Sequence, residues 1–210
     1  MPRHPPEPTR LEFAIMPHNP LFIAVEGLDG CGKSTLARNL AETLGAVLLR
    51  TPQDLDSATR TTMETHCARS ALARMLFYSA TVAAAAVDIR AILASGRSVV
   101  IDRYWLSTVV YHRVMGAPCP LDEVAKHLPY ADFTLFLHAP LEVRASRVRS
   151  RGQATEADRW SLQPCPSGRI EALYRELGRH RIAGRFLELD ASERSPAELV
   201  AVATDLLRAA

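Results

Sequence analysis

Lysine is almost missing from this chain. Of 25 basic residues only Lys33 and Lys126 are lysine, and arginine supplies the rest. The formal net charge is only +2, which argues against a protein that coats nucleic acid through bulk positive charge. Cysteine is sparse too: Cys31, Cys67, Cys119 and Cys165 lie far apart with no CxxC pair, so neither a disulfide scaffold nor a zinc module is expected. The histidines show no metal-ligand spacing. No apolar run approaches the ~20 residues of a membrane span, and the longest stretch, Ala80 to Val87, is short and alanine-rich. The first residues lack the apolar core of a secretion signal. A soluble cytoplasmic protein with no nucleic-acid or membrane partner is expected. The 48% of apolar residues and the length of 210 suit a single domain with a real core.

Proline is concentrated at one end. Residues 1–20 hold six of the fourteen prolines, a density that forbids helix, so they are expected to form a mobile tail ahead of a domain over 21–210. Beyond the tail, short apolar runs alternate with helical spacings. Strands are predicted at 21–25, 46–49, 98–102, 133–138 and 185–190. Helices are predicted over 33–44 and roughly 70–94, with another opening at Pro140 and a last one capped by Ser195-Pro196-Ala197-Glu198. Strands alternating with helices give an α/β class, a parallel sheet covered on both faces.

The strongest motif is Gly27-Leu28-Asp29-Gly30-Cys31-Gly32-Lys33-Ser34, directly after the first strand and before the first helix. It matches G-x-x-x-x-G-K-[ST]. Glycines let backbone N–H groups curl around phosphate oxygens, and the helix N-terminus adds partial positive charge. Gly27, Gly30, Cys31, Gly32, Lys33, Ser34 and Thr35 are therefore the expected triphosphate-binding residues. Lys33 would bridge the β- and γ-phosphates, and Ser34 would ligate Mg²⁺ with help from Asp102, which ends the third strand.

No Asn-Lys-x-Asp guanine motif accompanies the loop. Instead, Arg103 and Tyr104 follow Asp102, and an arginine-dense segment runs from Arg144 to Arg159. Arg144, Arg147 and Arg151 recur at helical spacings of three and four. Residues 147–166, with Gly152, Pro164 and Pro166, read as a flexible lid bringing arginines to a phosphoryl group.

Taken together, these segments resemble the thymidylate kinases, within the P-loop nucleoside monophosphate kinases. The likeness covers residues 21–208 and is carried by Val25–Thr35, Arg50-Thr51-Pro52, Leu76-Phe77, Asp102-Arg103-Tyr104 with Ser107 and Tyr111, Ala131-Asp132, and Ser150-Arg151-Gly152 through Asp158-Arg159. The resemblance implies a three-layer P-loop fold with a five-stranded parallel sheet and an arginine-bearing lid. It also implies ATP with Mg²⁺ as donor, a nucleoside monophosphate as acceptor, and a homodimer. By position, Arg50 and Arg103 would hold the acceptor phosphate, Phe77 would stack on its base, Tyr111 would lie beneath the sugar, and Asp29 would sit beside the transferring phosphate. Ser107 and Thr81 belong to the same acceptor side. Because Cys31 leaves no arginine in the loop, the catalytic arginine would come from Arg147, Arg151 or Arg159.

The chemistry needs no strong base, since a phosphomonoester has a second pKa near ~6 and the attacking oxygen is already anionic. Glu26 is better read as capping backbone amides of the loop. Several residues depart from the family pattern: Thr51 for glutamate, Thr81 for arginine, His112 for glutamine, His138 for aspartate and Ser161 for a lid glutamate. Most of these fall on the acceptor side. Three readings follow: a thymidylate kinase turning dTMP into dTDP, a related enzyme for another nucleotide or nucleoside, and a nucleotide-binding protein without transfer.

Overall fold

The computed structural model of the chain describes residues 19–52, 57–152 and 154–209. All but the last two residues of the expected tail lie outside them. The order of elements is β1 (Phe22–Gly27), α1 (Lys33–Leu44), β2 (Val47–Arg50), α2 (Ser57–Cys67), α3 (Ala71–Ala94), β3 (Val99–Asp102), α4 (Trp105–Val114), α5 (Leu121–Ala125), β4 (Phe133–His138), α6 (Leu141–Ser150), α7 (Glu156–Ser161), α8 (Pro164–Leu177), β5 (Arg185–Asp190) and α9 (Pro196–Ala209). The strands pair in parallel in the order β2-β3-β1-β4-β5. This is the α/β sheet expected from the alternation of runs.

Central position and composition agree. All six residues of β1 are buried, as a strand covered on both faces requires. Each large apolar side chain there contributes about 1.5–3 kcal/mol through burial. Helices α1 and α9 pack together on one side, while α3, α4 and α8 form the other layer. The chain leaves β1 first toward β3 and later toward β4, so β1 sits at the topological switch point, where a crevice opens beyond the strand ends. Register carries this into detail: Val25 lies beside Asp102, and Gly27 beside Leu137. The loop after β1 and the turn after β3 are therefore neighbours.

The structure corrects some local expectations. β2 begins and ends one residue later than predicted. Helix α2 was not foreseen, because its sequence SATRTTMETHC has no apolar stripe. The segment expected to be a flexible lid holds more helix among its described residues than its glycine and prolines suggested. Thr155 and Asp158 form a reciprocal capping box that starts α7, and Pro164 opens α8. Helix α3 is also long and apolar enough, by length and composition, to cross a membrane. Met75, Val82, Ala85, Ala86 and Ile89 on it are nevertheless buried in the domain.

Candidate active site

The phosphate loop is shaped by what presses on it. A Cβ on Gly27 would run into the carbonyl oxygen of Leu137, and one on Gly30 would lie 2.9 Å from the Cα and Cβ of Arg144. Both glycines also have positive φ, so a side chain is refused twice over. Gly32 caps α1, placing Lys33, Ser34 and Thr35 in its first turn. Lys33 is only 6% exposed, and its Nζ donates to the Leu28 carbonyl at 2.7 Å. Burial and the nearby Arg103 push the Lys33 pKa down, while Asp29 pulls it back up. Burial pushes the Cys31 thiol up, in keeping with a packed rather than reactive cysteine.

Asp29 is the hub of the site. Its Oδ1 pairs with the Arg103 guanidinium and lies 3.9 Å from Lys33 Nζ. Its Oδ2 accepts from the Tyr111 hydroxyl at 3.1 Å and from the Ser161 hydroxyl at 2.8 Å. Burial alone would raise this carboxyl, but Arg103, Lys33 and the two hydroxyls hold it far below the usual carboxylate range. Arg103 itself has φ 68°, a left-handed backbone rare outside glycine. Its guanidinium lies 5.3 Å from the Tyr111 ring centre. The loop, the β3 turn, α4 and α7 thus meet on one carboxylate.

Glu26 has a different task from the one expected. It is fully buried and accepts from the backbone N–H groups of Tyr104 at 2.9 Å and Ser107 at 3.1 Å, as well as from the hydroxyls of Ser107 and Tyr174. It caps the N-terminus of α4 rather than the phosphate loop, because β1 ends beside the turn after β3. Tyr104, the cap residue of α4, supplies no side-chain acceptor, so Glu26 satisfies the orphan donors from another strand. Burial raises the Glu26 pKa despite the four donors. Arg103 Nη1 donates to the same Ser107 hydroxyl at 3.4 Å, which ties this arginine to the buried network.

Ser34 donates to Asp102 Oδ2 at 2.5 Å. The other carboxylate oxygen, Oδ1, is buried and lacks a hydrogen-bond partner among the described residues. An orphaned hard oxygen beside a hydroxyl at the mouth of a phosphate loop fits Mg²⁺ and its water shell.

The residues expected on the acceptor side bond within the protein. Thr51 Oγ1 donates to the Arg103 carbonyl at 3.0 Å, and the Thr51–Pro52 bond is cis. Thr81 Oγ1 turns back on its own helix to the Tyr78 carbonyl at 2.8 Å. His112 is buried with Nδ1 2.6 Å from the Thr108 carbonyl, so Nδ1 carries the proton, and burial pushes its pKa down. Phe77 lies half-buried on α3, edge-on to Tyr78. Arg50 is exposed at the end of β2, level with Asp102.

The arginines of the expected lid are engaged elsewhere. Arg147 donates to the carbonyls of Ala191 at 2.7 Å and Ser192 at 3.3 Å, beyond β5. Arg151 pairs with Asp158 at 2.6 Å, and Arg159 donates to the Ala154 carbonyl at 2.7 Å. The structure does not bring these three to the loop. The arginine of α6 that does touch it is Arg144, whose spacing was noticed in the sequence but whose partners lie far along the chain. Tyr174 was likewise missed as a member of the site, and Ser161 was marked only as a departure from the family pattern.

A family model described as thymidylate kinase matches residues 25–196. The thymidylate kinase of Xanthomonas euvesicatoria pv. vesicatoria is 35% identical over 144 residues, covering 64% of this chain and 63% of that protein. A probable thymidylate kinase of Archaeoglobus fulgidus is 31% identical over 140 residues, covering 63% of this chain and 71% of that protein. The match thus spans less than two thirds of the Xanthomonas relative. Among solved structures, the thymidylate kinase of Candida albicans superposes with a TM-score of 0.71 at 19% identity, covering 91% of this chain and 92% of that one. The Ehrlichia chaffeensis enzyme gives 0.66 at 19% identity, with 90% and 100% coverage. At that identity the likeness is one of fold.

Proposed function

The chain belongs to the thymidylate kinase family, and on that footing we propose that it moves the γ-phosphoryl group of ATP onto a nucleoside monophosphate, dTMP foremost. The observation that carries this reading is the Asp29 hub. It holds Lys33, the donor-side cation, and Arg103, the acceptor-side cation, against one carboxylate. Two polyanions bound by these cations would meet at one place, and the catalytic work is to hold them in line.

Lys33 would leave the Leu28 carbonyl to contact the β- and γ-phosphates, with the loop amides holding the remaining oxygens. Arg103 would exchange its contact with Asp29 for the acceptor phosphate, and Tyr111 would support the sugar. Ser34 and Asp102 would hold Mg²⁺, which supplies charge neutralisation at the phosphates when bound. The acceptor phosphate brings its own anionic oxygen, so Glu26, committed to α4, is not required as a base. Arg147, Arg151 and Arg159 would have to change partners on ligand binding to reach the transferring group.

The exposed stripe on α3 supports a homodimer. Leu76 is 57% and Val87 63% exposed, with Leu72, Ala80 and Ala83 on the same side. A contiguous apolar helix face of this kind marks an interaction surface, and a second copy of α3 would cover it. The four free cysteines, three of them buried, suit a reducing compartment such as the cytoplasm.

A second reading has its own observation. Thr81 and His112 make their bonds within the protein, so the acceptor side lacks the charged arm an arginine at position 81 would provide. An acceptor other than dTMP is therefore the alternative. The test is an ADP-release assay with ATP and Mg²⁺ across dTMP, dUMP, UMP, dCMP, CMP, AMP, GMP and thymidine. A lead of about tenfold for dTMP, or 1.4 kcal/mol, supports the first reading. A lead for another acceptor supports the second, and ATP binding without turnover on any acceptor removes both.

A further inference from the structure

Beneath the phosphate loop lies an arginine that none of these steps uses. Arg144, in the first turn of α6, is 1% exposed. Its Nε donates to the Ala139 carbonyl at 3.1 Å, its Nη1 to the Asp29 carbonyl at 3.3 Å, and its Nη2 to the Ser167 hydroxyl. One guanidinium therefore joins the end of β4, the phosphate loop and α8. All three acceptors are neutral, and among the described residues Arg144 forms no ion pair with a carboxylate. A buried guanidinium held only by dipoles keeps its full charge within a poorly screened interior.

The backbone tells the same story independently. Gly30 packs so tightly on α6 that an added Cβ would meet the Cα and Cβ of Arg144 at 2.9 Å. The loop is thus clamped on Arg144 by main-chain contact as well as by hydrogen bonding. The charge also reaches the loop: against burial, which raises the Cys31 thiol pKa, Lys33 and Arg144 both pull it down.

We propose that Arg144 is a positioning residue of the donor-phosphate site, holding the Asp29–Gly30 limb from beneath and supplying, beside Lys33, a second fixed positive charge for bound polyphosphate to neutralise. This rests on the donor reading above. It gives the loop an arginine from α6, where the loop itself carries Cys31.

The test is calorimetric binding of inorganic tripolyphosphate and of ATP to the full chain, comparing wild type with Arg144→Lys and Arg144→Met, each checked for thermal unfolding. Arg144→Lys keeps the charge and is expected within about threefold of wild type, while Arg144→Met is expected to weaken tripolyphosphate by about tenfold or more. Equal affinity of Arg144→Met and wild type would overturn the proposal, as would an equal loss in both variants, which would mean that the fixed charge contributes nothing. Should Arg144→Met fail to fold, a tenfold or greater loss in folded Arg144→Lys overturns it and near-wild-type binding supports it. Wild-type protein that binds neither probe would instead remove the donor reading itself.

Discussion

The Arg103 guanidinium lies on the Asp29 carboxylate across 74 residues of sequence, joining the turn after β3 to the phosphate loop after β1. The parallel register makes this possible, since Val25 and Asp102 stand side by side at the ends of those strands. Each residue holds the other in place.

If Arg103 holds the acceptor phosphate as proposed, Arg103→Ala removes that cation while leaving Lys33 in place. The loss of a charged hydrogen bond costs about 1.5–3 kcal/mol, so KM for the monophosphate is expected to rise roughly 10- to 100-fold with ATP affinity largely kept. Steady-state kinetics with each substrate varied in turn checks the split.

Asp29 makes stability depend on pH in a definite direction. Its carboxyl is held far below the ordinary value by Arg103, Lys33 and two hydroxyls, overcoming the upward push of burial. A depressed carboxyl contributes stability that is complete above the unfolded pKa near ~3.9 and is lost as pH falls toward the folded pKa. Urea midpoints of wild type and Asp29→Asn are expected to differ by a constant amount from neutral pH down to about 5 and to converge below about 4. A gap unchanged at acid pH would contradict this.

Glu26→Ala strands two backbone N–H groups and two hydroxyls in a buried place. A cost of roughly 3 kcal/mol or more is expected from the unsatisfied donors alone. Equilibrium urea denaturation measures it. Because α4 carries Ser107 and Tyr111, activity should fall along with stability.

The first strand, the phosphate loop and the α/β alternation were legible in the sequence because each is a contiguous run with its own chemistry. Gly27 through Ser34 needs no distant partner to be recognised. Glu26 illustrates the opposite case: its identity suggested the adjacent loop, but its partners Ser107 and Tyr174 lie 81 and 148 residues on. Arg144 was visible only as part of a helical charge pattern, and its contact with Asp29 spans 115 residues. Helix α2 escaped because it lacks an apolar stripe, and α7 escaped because the Thr155–Asp158 capping box that starts it outweighs the neighbouring glycine and prolines.

The α3 stripe predicts a dimer that a charge would break. Sedimentation of the wild type at micromolar concentration is expected to give twice the 23.1 kDa chain mass, and Leu76→Glu with Val87→Glu to give the monomer with its fold retained. A monomeric wild type would leave the stripe without its proposed partner.

Thr81→Arg adds a charged arm four residues beyond Phe77 on α3. If dTMP is the acceptor, its KM is expected to fall about tenfold or more, the worth of one charge-assisted hydrogen bond. The acceptor titration that measures KM also shows whether other monophosphates gain equally.

Phosphorus NMR of wild-type protein with ATP, Mg²⁺ and dTMP tests the transfer most directly. The expected result is dTDP and ADP appearing in equal amounts as ATP and dTMP disappear, with Lys33→Ala silent. ADP with free phosphate and no dTDP, or no change at all in the presence of bound ATP, would contradict phosphoryl transfer to dTMP.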